Sequence, residues 1–413
     1  MLADPGNAQF HLTDPRGASD KSGRTFNNPY QYFFEQMHMD DAIYADESIY
    51  EYPMQQGGGN DGRPYSFGRP SSGGSKAAYP CKSYGQGRIN PAYFYGVFDP
   101  NDMRRDVSIT MTGSNGKGVE KLIPFVPNSK AEGGGLTLNK WDENRQANPW
   151  VAAQRKSGIN GPYMRMSEVY LGYAEVCAAL GDVVTGKQYL KTVRERSFPQ
   201  GLANTDAFIA SFGNDLVRAI IEERGFEYAG EGDRRWTLIR SGYLPEDIKR
   251  IKDMTKAMMD GLATKGYYEF ENGNIISAYI WTKLVDAKTI YGHRLTAQCP
   301  TDKVNDPVLY PGWRGQKDNW EEMGLNYGSS TPATNLAIKG LFEIVSEEEA
   351  ASLESQGYAK VNWGIDLVDY RDEYDKYLFW DYDYVSAPIY LWPFTPNVMA
   401  AGGFTNGYGF KQE

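Results

Sequence analysis

Metal and redox chemistry have few ligands to draw on in this chain. Three cysteines (Cys81, Cys177 and Cys299) and three histidines (His11, His38 and His293) are spread over 413 residues. No cysteine lies near another and the histidines are far apart, so there is no CxxC or HExxH pattern and neither a zinc site nor a redox pair is expected. Cys177 falls in an apolar helical stripe and reads as core, while a Cys81–Cys299 disulfide stays open. No run of eighteen apolar residues occurs, which argues against a membrane-spanning helix. The opening MLADPGNAQFHLTDPRG has no basic start and no apolar h-region, so it is not read as a secretory signal. Taken alone, that points to the cytosol. The segment Gly113–Gly118, GSNGKG, lacks the spacing of a phosphate-binding loop, and no GxSxG elbow is present. Basic charge is in deficit as well. A net charge of −10 and a pI of about 5.1 exclude a global nucleic-acid-binding role. No cofactor is implied.

Aromatic residues and glycine are abundant. Hydrophobic residues make up 41% of the chain and aromatics 14%, with 30 Tyr and 45 Gly. This suffices for one large domain or two smaller ones. An excess of tyrosine suits half-wet surfaces, because the ring packs while the hydroxyl stays hydrated. The clearest periodic segment runs from 163 to 182, YMRMSEVYLGYAEVCAALGD. Met166, Val169, Tyr170, Tyr173, Val176, Cys177 and Leu180 recur at three and four residues, which predicts one buried helical stripe. Ala174 leaves room inside it for a neighbouring helix. Arg165 and Glu168 are spaced to pair. Gly181 supplies a left-handed stop and Asp182 a cap. A second helix over 187–196, with Tyr189, Leu190 and Val193 on its apolar side, completes an antiparallel pair.

The remaining expectations are coarser. A helix is expected around 30–39, and the segment ESIYEY reads as a strand. The third of the chain from 57 to 135 is loop-rich, and its rings favour an ordered loop over a flexible linker. DPNDMRRD (99–106) is a capped turn, and VSITMTG, KLIPFV and GLTLNKW are short extended pieces. Further helices are expected from Leu216 through Phe226, through Trp236 and Leu238, over 245–263 and near 331–354. Residues 265–330 read as irregular and the C-terminal stretch as extended. A single helix pair of tetratricopeptide type is visible, with no repeat array.

Two kinds of chemistry fit these residues. The acidic stretch at 366–383 offers Asp366, Asp369, Asp372, Asp375, Asp381 and Asp383, from which a glycosidase pair could be drawn. A solvated acidic face paired with Arg371 and Lys376 is the plainer reading, and the spacing of a DxDxDG calcium loop is missing. The aromatic loops suit sugar binding better. A flat ring covers the C–H face of a pyranose while nearby polar groups bond its hydroxyls. The segment YPCKSYGQGRINPAYFYG combines Tyr79, Tyr84, Tyr93, Phe94 and Tyr95 with Lys82, Gln86, Arg88 and Asn90.

The helix pair and the stretch LVRAIIEERGFEYAGEGDRRWTLIRSG together resemble the SusD/RagB family of surface glycan-binding lipoproteins of Bacteroidetes. The residues that carry the resemblance are Arg165, Glu168, Val169, Tyr170, Leu171, Tyr173, Ala174 and Glu175. Val193, Arg194 and Arg196 follow, then Glu223, Arg224, Glu227, Glu231, Gly232, Arg235 and Trp236. ADESIYEY, DPNDMRRD and YLWPFTPNVM…TNGYG are similar to flanking family segments. The resemblance implies a mainly α, SusD-like fold with long loops and a few short strands. It assigns 1–413 to the C-terminal portion of the family, a helical N-terminal half being missing. The loop-rich part is then 40–150, the helical heart 162–265 and the loop and extended C-terminal part 266–413. It also implies a lipid-anchored place on the outer-membrane surface and non-enzymatic capture of an oligosaccharide or polysaccharide. The partner would be a SusC-like TonB-dependent transporter. Tyr84, Arg88, Tyr93, Phe94 and Tyr95 are the expected ligand contacts, with Trp313, Arg314 and Trp320 as a second patch. Arg165, Glu168, Glu175, Arg224 and Arg235 are expected to form a structural charge network, since buried charges must be paired. The rival readings are a glycoside hydrolase and a transporter-docking protein whose nutrient is not a glycan, such as a peptide.

Overall fold

The computed structural model describes residues 10–14, 29–36, 47–54, 67–70, 83–114, 120–125, 135–141, 159–286, 334–372, 394–403 and 405. The N-terminal half of the described chain contributes α1 (Pro29–Gln36), β1 (Ser48–Tyr52), α2 (Pro91–Gly96) and α3 (Met103–Ser108). Four short strands follow, β2 (Ile109–Thr110), β3 (Thr112–Ser114), β4 (Glu120–Leu122) and β5 (Thr137–Leu138), and then β6 (Gly161–Arg165). The helical heart is α4 (Met166–Ala179), α5 (Val183–Glu195), α6 (Thr205–Ala210), α7 (Leu216–Glu227), α8 (Arg234–Ser241) and α9 (Leu244–Lys265). Beyond it lie β7 (Tyr267–Glu269), β8 (Ile275–Ser277), β9 (Tyr279–Asp286), β10 (Thr334–Lys339), α10 (Glu347–Ser355), β11 (Ala359–Asn362), α11 (Gly364–Asp369) and α12 (Pro396–Gly402). The fold is mainly α with short strands, as its sequence predicts.

The α4–α5 hairpin forms for local reasons. Gly181 takes φ +88°, a conformation most side chains avoid, and turns the chain. The Asp182 carboxylate accepts from Thr185 N at 3.1 Å and caps α5. That cap starts α5 at Val183, four residues before the expected start. Where the helices cross, a Cβ on Gly186 would stand 2.9 Å from the Ala174 carbonyl oxygen. Gly186→Ala is therefore expected to push α4 and α5 apart at a cost of about 1–3 kcal/mol, read as a lower urea midpoint with unchanged slope.

Only part of the predicted stripe on α4 is buried. Met166 and Cys177 are, but Tyr173, Val176 and Leu180 are 43%, 54% and 82% exposed. The buried face is set by Leu171 and Ala174, which pack with Leu190, Val193, Leu216 and Ile220 of α5 and α7. The helix carries two apolar faces, and its period alone does not rank them. The start of α4 differs too: Tyr163 to Arg165 belong to β6, which pairs antiparallel with β1.

Two expectations further along are corrected. Residues 267–286 are not irregular: β7 and β8 form a hairpin, and Gly273 at φ +84° turns it. Asn272–Gly273 is the hairpin signal that marks it. The stretch expected as a helix from 331 begins instead with β10, which runs antiparallel to β9, whose other edge takes β11. Gly340 at φ +78° breaks the chain, and α10 starts only after Ser346 caps Glu349 N at 3.2 Å.

The larger core is aromatic. Phe94, Tyr95, Phe98, Phe125, Phe226, Phe270, Phe342 and Trp363 gather there with Met258 and Met259 of α9.

Candidate functional site

The family-type residues converge on a buried charge cluster rather than on a cleft. Arg165 ends β6, and every nitrogen of its guanidinium has a partner. Its Nη1 donates to Glu47 and Glu227 at 2.8 Å each and to Ser167 at 2.9 Å. Its Nη2 and Nε donate to Glu231 at 2.9 and 3.0 Å. Arg196, at the end of α5, reaches Glu47 at 2.9 Å and Glu227 at 3.0 Å. Arg104 of α3 joins Asp102 and Glu223 at 2.7 Å each and Glu227 at 3.2 Å. Arg194 takes the other Glu223 oxygen at 2.8 Å, and Lys140 meets Glu231 at 2.6 Å. Among the described residues, five cations thus face five carboxylates, and all are buried but Glu231, whose side chain is 6% exposed. Tyr30 of α1 donates to the Glu227 oxygen that Arg104 also holds.

The electrostatics are those of mutual neutralisation. Burial by itself would raise Glu227, but Arg165, Arg196 and Arg104 outweigh it and hold the carboxyl well below the usual range. Glu47 is held down in the same way by Arg196 and Arg165. Burial lowers Lys140 despite Glu231. A second cluster is a closed ring in which Arg234 and Arg250 each touch both Glu222 and Asp247, at 2.7 to 3.0 Å. Of the other charges expected in the network, Glu168 meets Arg224 at 3.5 Å rather than Arg165, and Glu175 forms a two-point contact with Arg240. Arg235 is half-buried on α8. With its carboxylates partnered, the main cluster locks β6 and helices α1, α3, α5 and α7 together.

The expected ring contacts divide sharply. Phe94 and Tyr95 are wholly buried on α2. Phe94 stacks on Phe342, and the Tyr95 hydroxyl accepts from Trp363 Nε1 at 2.9 Å. Tyr93 packs edge-on to Phe98 and donates to the Gly225 carbonyl at 3.1 Å. Phe94 and Tyr95 are thereby closed to a sugar, while Tyr93 is half-buried with its hydroxyl held by the backbone. Asn90 caps the helix at Ala92 N and is tied to Thr255, so PAYFYG is a core helix rather than a loop. Trp313, Arg314 and Trp320 lie outside the described residues, as do Cys81, Cys299, Tyr79 and Lys82. Of the acidic stretch, Asp375, Asp381 and Asp383 lie there too. Asp366 is buried, raised by that burial, and accepts from Asn362 at 3.1 Å.

What stays at the surface is a shelf built from two loop segments. Residues 67–70 lie on 83–88 because two glycines permit it. A Cβ on Gly85 would stand 2.3 Å from Pro70 Cγ, and one on Gly87 would stand 2.7 Å from Leu138 and 3.2 Å from Phe67 Cδ1. The backbone beneath is fixed: Leu138 N donates to Gly87 O at 3.1 Å, Ile89 N to Leu136 O at 3.0 Å, and Arg88 bridges to Thr137. Phe67 is 48% exposed, Gln86 and Arg88 are exposed, and Tyr84 is half-buried. A ring, a guanidinium and an amide are thereby exposed on two adjoining segments. A second exposed ring group stands on the β1–β6 ribbon. Tyr50 and Tyr163 meet edge-on at 5.6 Å with Tyr52 beside them, and Asn160 is bonded to Glu51 at 2.8 Å. Phe67, Tyr50 and Tyr163 escape a reading by composition. The alternation in SIYEY, which sets Tyr50 and Tyr52 on one face, is the signal that marks part of the ribbon.

Comparison with known proteins places these residues in a wider set. The SusD family model matches residues 12–394. A SusD-like protein of Formosa agariphila is 28% identical over 160 residues, which are 38% of this chain and 26% of that protein. A solved SusD homologue from Bacteroides thetaiotaomicron is 18% identical, with a TM-score of 0.41 over 56% of this chain and 48% of its own. Surface glycan-binding protein A of the same organism, solved with laminarihexaose, is 18% identical with a TM-score of 0.34 over 55% and 48%. The matched stretch thus spans a quarter of the length of the first relative and about half of the other two. On the family match, which runs through nearly the whole sequence, the chain belongs to the SusD family.

Proposed function

We propose that the chain is a non-enzymatic glycan-binding protein of the outer-membrane surface, lipid-anchored there, that delivers an oligosaccharide to a SusC-like TonB-dependent transporter. Membership of the SusD family supports this reading, and the exposed shelf carries it for this chain. Phe67 offers an apolar face to a pyranose, while Arg88, Gln86 and Tyr84 offer hydrogen bonds to its hydroxyls. Binding by such a shelf needs no bond-making, because delivery rests on a difference in affinity between two proteins.

Native affinity electrophoresis tests it. Because one relative was solved with laminarihexaose, laminarin is the first gel additive, followed by other soluble polysaccharides. Retardation by one of them is expected, weakened about tenfold or more in Phe67→Ala/Arg88→Ala. Release of new reducing ends from the retarding glycan would overturn the non-enzymatic reading. Retardation unchanged in the double variant would move the site off the shelf.

A further inference from the structure

The side of α4 turned away from the α5 hairpin carries a second apolar stripe. Val169, Gly172, Tyr173, Val176, Ala179 and Leu180 follow one another along it at three and four residues, the spacing of a coiled-coil seam. Tyr173, Val176, Ala179 and Leu180 are exposed. Val183 and Val184, at the start of α5, extend the stripe and are exposed as well. Contiguous apolar surface left in water marks an interaction site. Gly172 is the telling residue, because glycine weakens a helix interior. Gly186 has a reason within the chain to lack a side chain, since its Cβ would meet the Ala174 carbonyl; a Cβ on Gly172 would have nothing packed against it within 4 Å. The hole it leaves opens outward.

The order of large and small residues names the occupant. Counted outward from Val176, Gly172 and Leu180 each stand four residues away, and Tyr173 and Ala179 each stand three. Within both pairs one member is large and the other small. When two α4 helices lie antiparallel about a two-fold axis at Val176, each residue comes level with the one at the same count on the other side, and the contact repeats in reverse. Leu180 then seats in the hole bounded by Val169, Gly172, Tyr173 and Val176 of the other copy, which Gly172 deepens. Tyr173 comes level with the small Ala179. A second copy supplies this complement by symmetry. Charge allows the contact: Glu168 and Glu175 border the stripe, and Arg224 and Arg240 of the same chain answer them, so pairing buries no unanswered charge. Area sets the strength. One helix stripe and the first turn of α5 fall short of the roughly 800 Å² per partner of a standard interface, which places the pair among weak, reversible ones.

We infer that the outer face of α4 is the contact surface of a weak symmetric dimer, in which two copies of this chain pack antiparallel about a two-fold axis at Val176. Sedimentation equilibrium of the full chain, from micromolar to near-millimolar concentration, tests it. The readout is mass, so it stands apart from whatever the Phe67 shelf binds. Association with a Kd of about 10–100 µM is expected, and it stops at the dimer because a two-fold contact closes on itself. Val176→Glu sets two carboxylates face to face on the axis, and Gly172→Leu fills the hole; each should weaken association about tenfold or more. The urea midpoint of Gly172→Leu should not fall, since leucine favours a helix and meets nothing there, so its loss of dimer is not a loss of fold. Leu284→Glu, at an exposed position on β9, should leave association unchanged. Because each copy carries a net charge of −10, added salt should tighten the pair. A monomer at every concentration, growth past the dimer, a dimer indifferent to both α4 variants, one dissolved by Leu284→Glu, or one loosened by salt would each overturn the inference. So would a monomer that sediments with phosphatidylethanolamine–phosphatidylglycerol vesicles and loses them in Leu180→Ala, because a lipid surface would then be the occupant.

Discussion

Arg165→Ala is expected to cost about 3–5 kcal/mol of folding stability, enough to unfold a chain of ordinary marginal stability. The reason is what it leaves behind. Glu47, Glu227 and Glu231 are nearly or wholly buried, and all three accept from this one guanidinium. Arg165→Lys keeps the charge but loses the planar fork, so its stability should fall between those of the parent and the alanine variant. Urea unfolding followed by circular dichroism measures both. A shift below about 1 kcal/mol for the alanine variant, the size of an exposed ion pair, would show that the cluster does not hold the fold.

The same cluster sets the response to acid. Glu227 and Glu47 are held below the ordinary carboxylate value, so the folded state binds fewer protons there than the unfolded one. Their contribution is therefore complete above the unfolded value of about 4.3 and is lost as the pH falls below it toward the folded values. In Glu227→Gln the part of this acid-limb slope that belongs to Glu227 should vanish, while stability at neutral pH drops.

The second large effect is expected from Phe94→Ala, at about 3–5 kcal/mol. Phe94 is wholly buried among Tyr95, Phe342 and the Arg105 guanidinium, so truncation opens a cavity in the main core. Polysaccharide retardation by the protein that remains folded should not change. A variant of unaltered urea midpoint but lost glycan retardation would return Phe94 to the ligand-contact role that its place in an aromatic, glycine-rich segment suggests. Tyr95→Phe is the milder companion, expected to cost about 1–3 kcal/mol because it leaves the buried Trp363 N–H without its acceptor.

Legibility followed the range of the interactions concerned. The α4–α5 hairpin, the Gly181 stop and the Asp182 cap were readable because each depends on residues within four positions of one another. Of the charge cluster only Arg165 is among the residues that the sequence points to as a structural network; Arg194, Arg196, Glu223, Glu227 and Glu231 enter there only as residues that carry the resemblance. The pairing within the cluster is not legible. Arg165 passes over Glu168, its neighbour in sequence, for glutamates about sixty residues later and one more than a hundred residues earlier. The burial of Phe94 and Tyr95 is not legible, because composition reports what a segment contains and not what covers it. Asn90 nucleates a helix there, and α9, Phe342 and Trp363 bury it.

What the sequence determined by itself is therefore the helical heart, its turns and caps, and family membership, all written in short-range period and motif. Only the tertiary structure decided which face of α4 is core, which carboxylate answers which arginine, and which aromatic rings remain in water. Each of those depends on segments brought together from distant parts of the chain, where burial of apolar area and the cost of an unpaired charge outweigh any local preference.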